Sequence, residues 1–242
     1  MAGRGYVPLA RLSTPPAIDA TGRWTPRVLA VLAFGLYALA APGGPYWLDS
    51  GELSAAGVAL GIGHPTGFPL HMALLKLASL LPLGELAFRA NLLSAACAAL
   101  AVLWVARLVI ETAEGQPGVR REAPRDPRLS GSGYSAVVGA VAAGAALGLS
   151  LTFFRQATVA EVYAPNAALL ALALLLGQRV AAGGGARAGL ALALVCGLGL
   201  GVHVTFALVG APLVVLYLLR LRRGARWTVV APLVVALGAG GL

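Results

Sequence analysis

The hydrophobic pattern divides this chain into apolar runs joined by short polar stretches, and the lengths of the runs predict the elements. Residues 28–41 are apolar and stop at Pro42-Gly43-Gly44-Pro45, with Trp24 and Trp47 on either side in the positions of interface anchors; this predicts a first membrane span. Residues 70–81 are apolar but short, interrupted by His71, Lys76 and Ser79 and closed by Pro82, which suits an interfacial or re-entrant helix. Residues 88–110, 134–154 and 163–178 predict three more spans, with a charged Pro/Gly-containing loop at 111–133 and a brief polar segment at 155–161. Residues 189–219 are broken only by His203. As one helix they would be about 46 Å long against a hydrocarbon core of about 30 Å, so a hairpin turning near His203 is expected. A seventh run starts at Thr228 and is still going at Leu242, as if the chain were cut or ended on the outer face.

Composition agrees with this pattern and narrows the class. The chain is 59% hydrophobic and 11% charged, with a mean hydropathy of +0.84, whereas an ordinary soluble domain is about 25% charged. An all-α polytopic membrane protein is the expected fold class. The net charge of +9 does not signal nucleic acid, because the arginines lie in short segments between apolar runs, which is how topology is encoded. Residues 1–27 form a basic tail, expected in the cytoplasm, and residues 28–242 the transmembrane domain. A cleaved signal peptide competes for the first run, since Ala38-Leu39-Ala40 resembles a cleavage site; either way the next loop is extracytoplasmic. Cys97 and Cys196 both lie in apolar runs and offer no disulfide or zinc spacing.

Charge parity fixes the map. If residues 70–81 crossed, the arginines between 107 and 128 would face outward, against the positive-inside rule. With that run interfacial, of the 18 Lys and Arg only Lys76, Arg89 and Arg155 fall outside. The outer face then collects Asp49, Glu52, Glu85, Glu161 and the 3 histidines His64, His71 and His203. Arg89, Glu161 and His203 stand at the ends of different spans, where burial costs a few kcal/mol unless they meet partners or line a wet cavity. Convergence over the stretch from Pro45 to Leu70 is expected.

That stretch, PYWLDSGELSAAGVALGIGHPTGFPL, places two carboxylates and a histidine between membrane-competent segments. Asp49 and Glu52 lie three apart on one face of a helix begun at Ser50. Structurally, Asp49 can cap that helix and Glu52 can fill its first turn; His64 can stabilise the turn before Pro65, and His203 can satisfy backbone groups at a tight hairpin. Asp49, Glu52 and the histidines could together hold a metal, but the separation of His64 and His71 matches no tight metal-ligand pattern, so a metal is not the expected reading; no cofactor is expected.

Five strings, LDSGEL (48–53), GHPTGFPL (63–70), FRANLLSA (88–95), VAEVYAPNA (159–167) and GLGLGVH (197–203), resemble the protein O-mannosyltransferase-like membrane family, which is similar to the GT-C glycosyltransferases. The resemblance implies a GT-C-like bundle of about seven transmembrane helices with an acidic extracytoplasmic first loop and an interfacial helix. It further implies transfer of a mannose-like sugar from a polyprenyl-phosphate carrier to a hydroxyl of a protein or glycan acceptor. Asp49 matches the loop acid and would be the general base, with Glu52 beside it. Arg89 and Arg155 are the candidates for the lipid phosphate, and His64, Glu161 and His203 for substrate binding. Seventeen arginines against one lysine point to a GC-rich bacterial genome and hence an inner membrane.

Two other classes remain open from the residues alone. A transporter or flippase would carry ionisable groups deeper and often in paired broken helices. A non-catalytic membrane partner needs no acids in its first outer loop.

Overall fold

The computed structural model describes residues 20–46, 49–65, 67–114, 132–208, 210, 212, 213 and 215, and within them the chain is helical with no strand. Eight helices are formed among the described residues: α1 (Ala20–Ala40), α2 (Ser50–Ala59), α3 (Pro69–Ser79), α4 (Leu86–Glu114), α5 (Ser132–Gly148), α6 (Leu151–Thr158), α7 (Tyr163–Ala181) and α8 (Gly185–Leu200). Two of them, over Leu86–Ala113 and Tyr163–Ala181, are long and apolar enough to cross a membrane, and α5 with α6 makes a third if the bent pair is one span.

The centre of the bundle is α4, which packs along α7, α5 and α1. Its close approaches rest on small side chains: Ala95, Ala98 and Ala101 are fully buried, and Ala106 likewise faces Ala140 of α5. Small residues let helix backbones come together where lipid supplies no hydrophobic drive between them. Both α4 and α7 start at one end of the bundle and finish at the other. At their C-terminal ends Arg179 forks Glu111, Nε to Oε2 at 2.9 Å and Nη2 to Oε1 at 2.5 Å, a bidentate geometry suited to a partly buried pair.

Three details differ from the expected element map. The first helix begins at Ala20 rather than near Val28, so its opening turns carry Arg23, Pro26 and Arg27, and these keep it below the apolarity of a full span. The expected single span over 134–154 is broken, with α5 and α6 bent by 67°. Ser150 causes the restart, its side chain capping α6 by accepting from Phe153 N at 3.3 Å. The buried Tyr37 hydroxyl donates to the carbonyl of Gly148 at 2.9 Å, satisfying a backbone group near the break. The segment expected to be a short outer loop at 155–161 is therefore half helix.

The run over 189–219 divides near His203, where a hairpin turn is expected. Helix α8 is 16 residues long, about 24 Å; the chain turns through Gly201 to Thr205 and is helical again from Phe206. The returning arm packs back, with Phe206 against Gly199, Cys196 against Gly210 and Leu213 against Gly177. The seven expected spans are thus not all seen, and the run from Thr228, like the arginines at 121 and 223, lies outside the described residues.

Candidate functional site

At the end of the bundle where α4 and α7 begin, α2 and α3 lie side by side. Gly57 allows this: a Cβ there would sit 2.3 Å from Leu75 Cβ, so only hydrogen fits between the two helices. Leu53, Phe68, Met72 and Leu75 form the apolar base together with Ala90 of α4 and with Ala160 and Val162 before α7. The polar groups stand around this base.

Asp49 occupies the N-cap position of α2 with helical φ −72° and ψ −12°, and its side chain makes no cap hydrogen bond. The carboxylate is therefore not used by the helix it precedes, in contrast to the capping role a sequence reading allows. Glu52, in the first turn, instead accepts the backbone N–H of His64 at 2.8 Å. That bond pulls the HPTGFP turn over α2, and the turn closes on itself with Gly67 N donating to His64 O at 2.8 Å. The His64 ring then lies between the two acids, Nε2 at 3.9 Å from Asp49 Oδ2 and Nδ1 at 3.5 Å from Glu52 Oε1.

Glu161 comes to the same place from a different element. It is 7% exposed and sits in the link between α6 and α7, where its N–H donates to Ser94 Oγ of α4 at 3.4 Å. Burial pushes its carboxyl up to about 7, helped by the negative charge of Asp49 and opposed by His64 and by the Val162 amide that donates to it. A carboxyl near half-protonation at neutral pH thus faces an ionisable acid and a histidine.

An aromatic column runs outward from this cluster. Phe68 meets the His64 ring edge-on at 5.1 Å and lies parallel to His203 at 6.0 Å, and His203 leans on Tyr163 at 5.8 Å. Phe68 holds its place through a left-handed backbone, φ 49°, an uncommon conformation for a bulky residue that the surrounding packing must enforce. Pro69 then opens α3 at its first turn. Leu70 N donates to Gly201 O at 2.9 Å, which ties α3 to the turn bearing His203.

Of the expected site residues, Asp49, Glu52, His64, Glu161 and, through Phe68, His203 are brought together. The two arginines are placed differently. Arg89 directs Nε, Nη1 and Nη2 to the carbonyls of Leu83, Ser79 and Gly84 at 2.6, 2.7 and 2.9 Å, binding up the turn between α3 and α4. Arg155 is exposed on α6 and has no ion pair among the described residues. Asn91 and Ser94, buried on one face of α4, and Tyr163 belong to the site's surroundings although sequence reasoning passed over them. For Asn91 and Ser94 the signal was present: two polar residues three apart in the apolar stretch between Arg89 and Arg107.

His71 is not part of this cluster in the way His64 is. It is fully buried in α3, both ring nitrogens lack partners among the described residues, and burial pushes it down to about 4, so the ring is neutral. Asp49, Glu52 and His64 each bring one ligand atom within 4.8 Å of the others, a donor set of mixed carboxylate and imidazole that suits a divalent cation.

A family model described as "Protein O-mannosyl-transferase TMEM260 N-terminal domain" matches residues 49–240. No solved structure matches the chain.

Proposed function

The chain belongs to the protein O-mannosyl-transferase TMEM260 N-terminal domain family, and on that premise we propose that its acid-lined end transfers a mannose-like sugar from a polyprenyl-phosphate carrier to an acceptor hydroxyl on the extracytoplasmic face. The observation that carries this reading is the Asp49 carboxylate, free of the capping duty its position invites and held 3.9 Å from His64.

In this reaction Asp49 accepts the proton of the acceptor hydroxyl as its oxygen attacks the anomeric carbon. Attack comes from the face opposite the lipid phosphate, so the C–O bond to phosphate breaks as the new glycosidic bond forms and the configuration inverts. His64, between Asp49 and Glu52, orients the base and offsets the mutual repulsion of the two acids. Glu161 in its protonated form donates a hydrogen bond to a sugar hydroxyl. Arg155 is the arginine open to the leaving phosphate; Arg89 contributes through the two N–H groups that its three carbonyl bonds leave over. The bilayer supplies the carrier, and the inner membrane of a bacterium is the proposed location.

The test is Asp49→Asn, assayed for transfer from a synthetic polyprenyl-phosphate mannose at matched expression. The amide keeps the shape but takes no proton, so the rate should fall about 10²–10⁴-fold while folding and insertion persist. Turnover within twofold of the unsubstituted protein would remove Asp49 from the role and with it the proposed chemistry.

A further inference from the structure

The outer end of the aromatic column is a second feature, distinct from the acids. Tyr163 is 50% exposed at the start of α7, and the His203 ring beside it is partly open. The hydrogen bonds around His203 fix its tautomer. Thr205 N donates to His203 Nδ1 at 3.2 Å, so that nitrogen is an acceptor. The Thr205 hydroxyl, 2.8 Å from the same nitrogen, accepts from Asn166 Nδ2 at 3.3 Å and directs its own proton to the ring. The ring proton therefore sits on Nε2, a donor with no partner among the described residues. The relay from Asn166 through Thr205 holds an N–H next to an exposed phenol ring.

We propose that Tyr163 and the Nε2–H of His203 form a subsite for an uncharged pyranose ring, the hexose carried by the donor. A pyranose offers a face of C–H groups to stack on the tyrosine and hydroxyl oxygens to accept from His203, the combination of apolar surface and few fixed polar groups that small-molecule sites use. No Lys or Arg is bonded to the cluster among the described residues, and a single neutral N–H suits a hydroxyl better than the phosphate. The opposite end of the column touches His64, which places the sugar in line with the acids. The assignment rests on the glycosyltransferase reading but stands on different residues.

Saturation-transfer NMR with methyl α-mannopyranoside tests it on the whole chain in detergent micelles, with Asp49→Asn, Tyr163→Ala, Tyr163→Phe and His203→Ala compared to the unsubstituted protein. Binding should persist in Asp49→Asn and Tyr163→Phe, and weaken about two- to tenfold in Tyr163→Ala, with a further loss in His203→Ala. Sugar-free polyprenyl phosphate should leave the signal from the sugar ring in place. Equal binding by the unsubstituted protein and Tyr163→Ala, no signal from the unsubstituted protein, or displacement by polyprenyl phosphate without sugar would overturn the subsite. Full transfer by Asp49→Asn, with sugar binding still dependent on Tyr163, would instead sink the proposed catalysis and leave the subsite standing.

Discussion

Replacing Glu161 with Gln should flatten the pH dependence of stability between about pH 4.5 and 7. The folded carboxyl titrates near 7 against an ordinary 4.5, so an unfolded chain loses this proton first as pH rises. Over that window the native state holds the extra proton and its stability falls with pH; above 7 both states are ionised and the cost stays constant. A shift of that size corresponds to about 3 kcal/mol as an upper bound, reasonable to convert because the side chain is nearly enclosed. The amide of the Glu161→Gln variant carries no charge to desolvate. The difference between the two curves reports the pH dependence that the Glu161 carboxyl contributes, its coupling to the charges of Asp49 and His64 included. For a chain of this length, about 3 kcal/mol is a difference in Tm of roughly 6–12 °C, growing from pH 4.5 to 7 in favour of the Gln variant. Tryptophan fluorescence on thermal ramps in detergent, at half-unit pH steps, measures it. A flat difference from pH 4.5 to 8 would mean that Glu161 ionises like a solvent carboxylate, and its part as a neutral hydrogen-bond donor would fall.

Arg89→Lys should lower Tm by loosening the turn of backbone carbonyls between α3 and α4, by about 1–3 kcal/mol, whereas Arg155→Lys should leave Tm alone and raise the donor concentration needed for transfer; thermal scans and donor titrations of both variants separate the roles. Gly199→Ala places a methyl 2.4 Å from the Phe206 ring and should cost about 1–3 kcal/mol by overpacking, read as a fall in Tm together with weaker sugar binding, because the same hairpin carries His203. Single cysteines at 49, 155 and 203, in a background without Cys97 and Cys196, should react with an impermeant maleimide from outside, and cysteines at 121 and 223 should not. Labelling at 121 would invert the arginine map on which the outer face depends.

The gathering of Asp49, Glu52, His64 and Glu161 was legible because membrane segments punish stray charge. Four ionisable residues at apolar-run boundaries on one side have few places to go but toward each other. The short helix over Pro69–Ser79 was legible for a similar reason, since its length cannot reach across. The break at Ser150 was not: residues 149–151 are no less apolar than their neighbours, so the serine that caps α6 does not stand out, and the contact from Tyr37 of α1 to Gly148 O is tertiary and has no local signature. Arg89 was legible only in part. Its place at the start of an apolar run suggests a phosphate ligand, a role that the two N–H groups left over still allow, but the three carbonyls that receive its other N–H groups belong to a turn whose path only the folded chain defines. His203 was visible as the single polar break in a long apolar run, yet nothing in the sequence pairs it with Phe68 and Tyr163 in space.

The bond between Tyr37 and Gly148 carries a consequence for the order of assembly. A ribosome delivers Tyr37 111 positions before Gly148, so the phenol that completes the bend is already in place when the later segment emerges. A Cβ at Gly148 would lie 3.0 Å from that hydroxyl, which leaves the incoming backbone one snug seat, with the rings of Phe153 and Phe154 closing edge-on around Tyr37 behind it. The first helix thus acts as part of a mould: a nascent chain whose Tyr37 is lost would keep the Ser150 cap and the packing of α5 and α6 on α4, but would lose a bond that fixes the backbone at the break between them.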